Sequence, residues 1–410
     1  MDVTDQERLF LPDRALKKFI KEQATPFYLY DEKSIRSSAQ RLKDAFEWCE
    51  DFGLFFPVRM NPNASILRIL QQSGCGVSCC SEPELMLCEK IGFSGDRILF
   101  APMKAERQAD ELCRKLDAIR VIDSDAVLPD ILPSRVLLRL DISSFDGRKE
   151  PVGTGKFGMT EQKALEVIER LHEYKDCTIG LCAEGAAMAK SLDYFRKTAE
   201  RLFSFAASVQ EKTGVCIDAV HLGNGLPFDY RHTGAEDGLR EVSESIRLAA
   251  DRFLQFAVPG TIRLSMEPGR FLLAGAGIFV TSVCAVKDNL IPLIVTDGCM
   301  ATFGRLSQLG NYHLISVLGK HDARGRTVCH VAGCLPDSRD IFARGWLLPP
   351  VRPGDCILIH DVGADGASMQ NGYGGNTPCA QFLHAANGTL RLIAGPQSTE
   401  QWLSGCGLEL

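Results

Sequence analysis

From residue 54 onward the chain repeats one grammar: a short apolar or β-branched run, an amphipathic segment, then another run. The runs are LFFPV (54–58), GVSCC (76–80), RILFA (97–101), AIRVID (118–123), RVLLRLD (135–141), TIGLCAE (178–184), AVHLG (219–223) and TIRLSME (261–267). Near-continuous apolar strands that alternate with helices belong to a parallel sheet covered on both faces. The stretches between them include SEPELMLCEKIGF (81–93), TEQKALEVIERLHEY (160–174) and SLDYFRKTAERLFSFAASVQEKTG (191–214), and each opens on Ser or Thr ahead of an acid, as helix N-caps do. About eight such units in this length favour an α/β fold of the closed (β/α)8 type over an open doubly wound sheet, here spanning residues 26–275. After residue 275 the pattern becomes IFVTSVCAVKD, LIPLIVTDG, TVCHVAG and CILIHDVG, separated by Gly, Pro and Asp turns with little helix, which predicts a second, mainly β, barrel-like domain over 276–410. Residues 1–25 form an N-terminal arm expected to pack on that β domain.

Charge narrows the partners. A net charge of −6 and a pI near 5.8 lack the clustered Lys and Arg that phosphate neutralisation on nucleic acid requires. No apolar run approaches membrane-spanning length, and MDVTDQERLF carries no basic region followed by an apolar core, so a cytoplasmic protein is expected. The 16 cysteines are scattered, many in apolar contexts such as Cys216, Cys284, Cys329 and Cys356, and read as reduced, buried small side chains. Cys75, Cys79 and Cys80 lack a paired second cluster, so no metal is expected.

In a (β/α)8 barrel the chemistry sits at the carboxyl ends of the strands, with a phosphate site built by the loops after strands seven and eight. The seventh run ends in HLGNGLPF (221–228), where Gly223 and Gly225 expose backbone N–H groups to an anion; the eighth ends in MEPGR (266–270), with Glu267, Gly269 and Arg270. The first ends in FFPVRMNPN (55–63), with Arg59 at the strand end.

The NPN after strand one, the Gly-rich turn after strand seven and EPGR after strand eight together resemble the pyridoxal-phosphate-dependent amino-acid decarboxylases of the alanine-racemase fold type. Diaminopimelate decarboxylase and its ornithine, arginine and siderophore-pathway relatives are the nearest of these. The resemblance runs from TPFYLYD (25–31) through GKFGM (155–159) to DGCMATFGRLSQLGNYH (297–313) and ASMQNGY (367–373). It implies that Gly223, Asn224 (in place of a glycine), Gly225, Gly269 and Arg270 form the phosphate loops, and that Glu267 pairs with the cofactor's pyridine nitrogen. It further implies that Tyr373 helps hold the phosphate and that Arg305, with Tyr312 and His313 following in register, holds a substrate carboxylate. Asp337 and Ser338, in GCLPDSRD (333–340), match a loop that the family contributes to a neighbouring subunit's site.

The reactive positions depart from the family. The lysine that forms the Schiff base with the cofactor is replaced by Arg59, whose delocalised guanidinium stays charged and supplies no free amine. The acid that partners that lysine aligns with Ser78, the ring-stacking histidine with Glu184, a further histidine with Cys182, the interface cysteine with Pro336, and a GAYG tyrosine with Asp365. A cysteine stands two residues before that proline, at Cys334.

Three readings follow. In the first, the chain keeps the fold and binds pyridoxal phosphate, or another phosphorylated, carboxylate-bearing small molecule, without a covalent bond. In that reading Arg59, Glu184, Cys334 and Asp365 are candidates for a new acid–base set or for an ion-pair network that fills the vacated space. In the second, it is an inactive partner of an intact paralogue, in a heterodimer rather than the homodimer the resemblance implies. In the third, it is a decarboxylase that uses another lysine, such as Lys104 or Lys156.

Overall fold

The computed structural model describes residues 9–129, 132–142, 155–174, 177–183, 192–223, 225–232, 238–254, 262–305 and 312–408. Helix α1 (Asp13–Glu22) and strand β1 (Phe27–Asp31) come first, and α2 (Glu32–Ala45) leads to the barrel. All eight apolar runs become strands: β2 (Gly53–Pro57), β3 (Gly76–Cys79), β4 (Ile98–Phe100), β5 (Ile119–Ile122), β6 (Arg135–Leu140), β7 (Thr178–Ala183), β8 (Ala219–His221) and β9 (Arg263–Met266). They pair in parallel in that order, and β9 closes on β2 with Gly53 opposite Ser265 and Leu54 opposite Met266.

Helices α3 (Ala64–Gln72), α4 (Glu82–Ile91), α5 (Arg107–Lys115), α6 (Glu161–His172), α7 (Leu192–Thr213) and α8 (Leu239–Leu254) follow β2, β3, β4, β6, β7 and β8, a short α9 (Gly269–Leu273) follows β9, and β5 is followed by a 3-10 turn, Asp125–Val127. The caps explain two of the starts. Asn63 accepts from Ser65 N at 2.9 Å ahead of α3, and Thr160 accepts from Lys163 N at 3.3 Å ahead of α6. Inward side chains Phe55, Leu99, Val121, Leu137 and Cys182 fill the barrel. Arg120, facing outward from β5 and 1% exposed, is held by Asp110 at 2.8 Å and by the carbonyls of Val121 and Val127.

The β unit contains β10 (Gly277–Lys287), β11 (Leu293–Thr296), β12 (Ile315–Val317), β13 (Thr327–Ala332), β14 (Ile341–Leu348), β15 (Cys356–Ile359), β16 (Ala380–His384), β17 (Leu390–Ala394) and a terminal helix α10 (Thr399–Gly405). With β1 these make a nine-stranded mixed sheet whose main path is β14-β13-β11-β10-β1-β16-β17. Here the structure departs from the expected start of the barrel at residue 26. Strand β1 pairs antiparallel with β10 and parallel with β16, so the chain up to Ile35, together with Asp229–Ala235 and Leu273–Leu410, belongs to the β unit. The physical reason is that FYLYD is buried along its whole length, a property that suits a central strand of either sheet. Phe27 and Phe382 meet edge to face at 5.3 Å in the core of this unit, alongside Leu16 of α1.

All 16 cysteines are unpaired by disulfides. Cys329 is buried as expected, whereas Cys216 and Cys284 are exposed, Cys284 because it lies toward the outer end of β10 where burial fades. Among the described residues no helix is long and apolar enough to cross a membrane.

The barrel interior depends on small residues where side chains crowd. A Cβ on Gly180 of β7 would stand 2.5 Å from Leu137 Cδ2 and 2.7 Å from Ala219 O, and the backbone carbonyl has no freedom to yield. Gly180→Ala is therefore expected to destabilise the protein by about 1–3 kcal/mol through overpacking. Denaturant unfolding measures this, and an unchanged midpoint would show that the interior has slack.

Candidate functional site

In the barrel unit the candidate residues gather at the carboxyl ends of β2, β8 and β9. Strand β2 runs into a single 3-10 turn, Val58–Met60, in which Val58 and Met60 are buried and the intervening Arg59 is exposed. Burial and Glu84 push the thiol of neighbouring Cys80 up to about 11, and the Arg59 guanidinium opposes them. Ser78, 5% exposed, lies opposite Pro57 in the next strand.

The loops after β8 and β9 interlock. Gly223 (φ 76°) and Gly225 (φ 125°) take up left-handed backbone that favours glycine, and Gly223 O accepts from Glu267 N at 2.9 Å. Gly269 packs so closely on the end of β2 that a Cβ there would lie 2.4 Å from Met60 Sδ and 2.8 Å from Pro57 Cδ. Arg270 follows, half-buried. Asn224 and Glu184 lie outside the described residues.

Between these loops sits a buried polar group that sequence reasoning missed. His221, 3% exposed, shares a 2.8 Å hydrogen bond between Nδ1 and Ser265 Oγ, and its Nε2 is 4.0 Å from Glu267 Oε1. Burial, with the Arg139 charge adding to it, holds the imidazole down to about 3, so it is neutral near pH 7 and cannot balance the Glu267 carboxylate. Glu267 is itself 5% exposed, and neither its Oε2 nor His221 Nε2 has a hydrogen-bond partner among the described residues. Nearby in the strand order, buried Arg139 donates to Asp123 Oδ1 at 2.7 Å, and its guanidinium lies 5.6 Å from the Phe157 ring centroid. Asp123 also accepts from Gly158 N at 3.1 Å, tying GKFGM to the strand ends. The available signal for His221, Asp123 and Arg139 was a polar side chain at the carboxyl end of an otherwise apolar strand.

A buried acceptor without a donor suits a ligand that brings one. The protonated nitrogen of a pyridine ring is such a donor, and glycine-lined loops on either side leave room for close approach of an anion. The barrel residues are therefore compatible with pyridoxal phosphate.

In the β unit the candidates form two clusters. Arg305, 0% exposed, is bonded through every nitrogen: Nε to His313 Nε2 at 3.1 Å, Nη1 to Asp365 Oδ2 at 2.5 Å and Nη2 to Tyr230 Oη at 2.9 Å. Burial, with Arg305 beside it, holds His313 down to about 3, which keeps it a neutral acceptor. Asp365 sits at φ 63°, a left-handed conformation that a tyrosine adopts at a cost. Arg305 and Asp365, assigned separate roles from sequence, are thus one ion pair. Tyr312 packs on Trp346 with ring centroids 5.3 Å apart and planes tilted by 42°, and the Arg231 guanidinium lies 4.3 Å from the Tyr312 ring centroid.

In the second cluster Tyr373 Oη donates to Asp337 at 3.0 Å, and Arg339 bonds the same carboxylate through Nη2 at 2.7 Å, holding its pKa well below the usual range. Ser338 is exposed beside them. Cys334, also exposed, places its Sγ 3.4 Å from Asp297 O. Asp365 thus lies on Arg305 and Cys334 on the Asp297 carbonyl.

Comparison with known proteins agrees with this architecture. The model of the family "Pyridoxal-dependent decarboxylase, pyridoxal binding domain" matches residues 32–274. A diaminopimelate decarboxylase from Methanothermobacter thermautotrophicus is 28% identical over 396 residues, covering 93% of this chain and 92% of the relative. Protein TabA from Pseudomonas amygdali pv. tabaci is 28% identical over 370 residues, covering 89% and 87%. Among solved structures, diaminopimelate decarboxylase from M. jannaschii in complex with L-lysine superposes with a TM-score of 0.87 at 22% identity, covering 95% of this chain and 93% of that one. The Helicobacter pylori enzyme, also with L-lysine, gives 0.85 at 23%, covering 96% and 100%. At those identities the two structures establish the fold alone, while the family model covers more than half of the sequence, so this chain belongs to the pyridoxal-dependent decarboxylase family.

Proposed function

We propose that this family member binds pyridoxal phosphate, or another phosphorylated, amino-acid-like metabolite, without covalent attachment to a lysine, and that it is not a conventional decarboxylase. The observation that carries the reading is the buried, donor-less oxygen of Glu267 beside a neutral His221, at the end of a barrel whose first strand finishes in Arg59 rather than lysine. A site that had lost all ligand binding would gain stability by replacing that carboxylate with an apolar side chain. Every lysine among the described residues is exposed or half-buried, Lys104 and Lys156 included, which argues against a desolvated amine at the barrel mouth; Lys149, Lys175 and Lys190 lie outside those residues. Following the family resemblance, the protein acts as a cytoplasmic homodimer.

When bound, pyridoxal phosphate supplies an electron-poor ring and an aldehyde. Around it Glu267 fixes the ring nitrogen's proton, His221 contributes a neutral Nε2, and the glycine loops take the phosphate through backbone N–H groups. Arg59 supplies positive charge without a nucleophilic nitrogen, suited to neutralising a ligand oxygen. The Arg305–Asp365 pair supports the same reading: the guanidinium that the resemblance gives to a substrate carboxylate already has a carboxylate from its own chain.

Two outcomes are expected. In equilibrium dialysis the wild-type protein retains pyridoxal phosphate, and Glu267→Gln weakens retention about tenfold, the loss of one charge-assisted hydrogen bond; no retention by the wild type would contradict the proposal. Asp365→Gly, which keeps the left-handed backbone, leaves buried Arg305 uncompensated and costs about 3 kcal/mol. Thermal melts should then show that added acetate restores part of this loss in the variant and leaves the wild type unmoved. A variant as stable as the parent would mean that Asp365 is not the arginine's counter-ion.

A further inference from the structure

The barrel also opens at its other end. Gly53, Gly76, Ile119, Ala219 and Arg263, the first residues of β2, β3, β5, β8 and β9, border a cavity of about 380 Å³ at the amino-terminal mouth, across the length of the strands from the candidate site. Its apolar walls are Phe55, Leu99, Ile119, Leu137 and Ala219, each of which belongs to the cluster that fills the barrel or packs against it. Two glycines pin the Phe55 ring: a Cβ on Gly76 would stand 2.7 Å from its Cε1, and one on Gly53 would stand 3.1 Å from its Cε2. Protein interiors pack as densely as organic crystals, and this void leaves one side of its walls without partners, a loss that a larger side chain at Ala219 would remove.

The polar groups of the cavity define its occupant. Asp51, Asp96, Arg97 and Arg263 stand among its lining residues, so the charges balance. Arg263 Nη1 lies 3.7 Å from Asp96 Oδ2, and Arg97 donates through Nη2 to the carbonyls of Cys75 at 2.7 Å and Gln71 at 3.1 Å. A charged ligand would meet no net counter-charge here and would give up water for apolar walls. Ser265 is different. It is half-buried, although its neighbours Leu264 and Met266 in β9 are buried, and among the described lining residues it is the only uncharged polar side chain. Its hydroxyl shares a 2.8 Å hydrogen bond with His221 Nδ1, and a hydroxyl offers one donor and two acceptor positions.

We infer that the amino-terminal mouth of the barrel is a binding site for a small, neutral aromatic molecule that carries one N–H or O–H donor, of the size of indole. A cavity of about 150 Å³ lined by Leu, Ile and Phe takes up benzene, so the larger volume here accommodates a fused pair of rings. The occupant displaces water from Phe55, Leu99 and Leu137, and the fixed Phe55 ring offers it an aromatic contact. Its donor reaches Ser265 Oγ. The serine then gives its own proton to His221 Nδ1, and the neutral imidazole carries its proton on Nε2, the nitrogen 4.0 Å from Glu267 Oε1. Binding here requires no ligand at the carboxyl ends of the strands, so the site stands apart from the proposed function.

Titration calorimetry of the full-length protein with indole tests this, and saturable binding is expected. N-methylindole, which lacks the donor, should bind about tenfold more weakly. That difference should vanish in Ser265→Ala, a change of ratio that general damage to the barrel does not produce. Tryptamine, cationic near pH 7, should bind more weakly than indole. Ala219→Leu extends a side chain into the cavity and should weaken indole binding at least about tenfold. Ile119→Phe fills the same space from another strand, should the first variant fail to fold. No saturable binding of indole by the wild type, equal affinity for indole and N-methylindole, tighter binding of tryptamine, or a folded, filled variant with wild-type affinity would each overturn the assignment.

Discussion

Everything at the candidate site depends on the ring closure between β2 and β9. Parallel pairing of Gly53 with Ser265 and Leu54 with Met266 turns an open parallel sheet into a barrel, and it places the end of the first strand against the loop after the last. Gly53 permits that pairing, since a Cβ there would stand 3.0 Å from Ser265 Cβ. At the other end of the same two strands Gly269 lies against Met60 and Pro57. Arg59, Glu267 and the loop ending in Arg270 therefore share one rim as a consequence of backbone packing.

The buried charges in the two units follow one physical rule. A buried ion is tolerated when a partner balances it, and it marks a binding site when the partner is missing. Arg139 with Asp123, Arg120 with Asp110 and Arg305 with Asp365 are balanced pairs inside the protein. Glu267 differs, because its neighbour His221, with Nε2 4.0 Å from Oε1, is held neutral by burial. The contrast lies inside the chain itself: Arg305 is matched by a carboxylate of its own chain, whereas Glu267 keeps an oxygen without a donor among the described residues.

Much of this was legible in the sequence, and the reasons are particular. The eight barrel strands are short runs buried almost throughout, so their apolar character alone marks them; the observed ends differ from the expected ones by at most two residues, with β8 and β9 stopping short of their glycine and acid. Strand β1 carries the same signal but belongs to the other sheet, because local pattern fixes a strand's burial and not its partner. Strands β12, β14, β16 and β17 went unread: β12 is three residues long, β14 is interrupted by Gly345, and β17 exposes much of its length. At the site, Gly223, Gly225, Glu267, Gly269 and Arg270 sit at strand ends and could be found by position. The Arg305–Asp365 bond spans 60 residues of sequence, so it has no local signature.

The measurement that bears most directly on the central claim is borohydride reduction of the wild-type protein loaded with pyridoxal phosphate, followed by intact mass. The account predicts an unchanged protein mass, with the reduced cofactor released on denaturation, because Arg59 offers no amine to the aldehyde. A mass increase of one phosphopyridoxyl group, mapped to a lysine such as Lys149, Lys175 or Lys190, would show that another residue supplies the amine and return the chain to covalent cofactor chemistry.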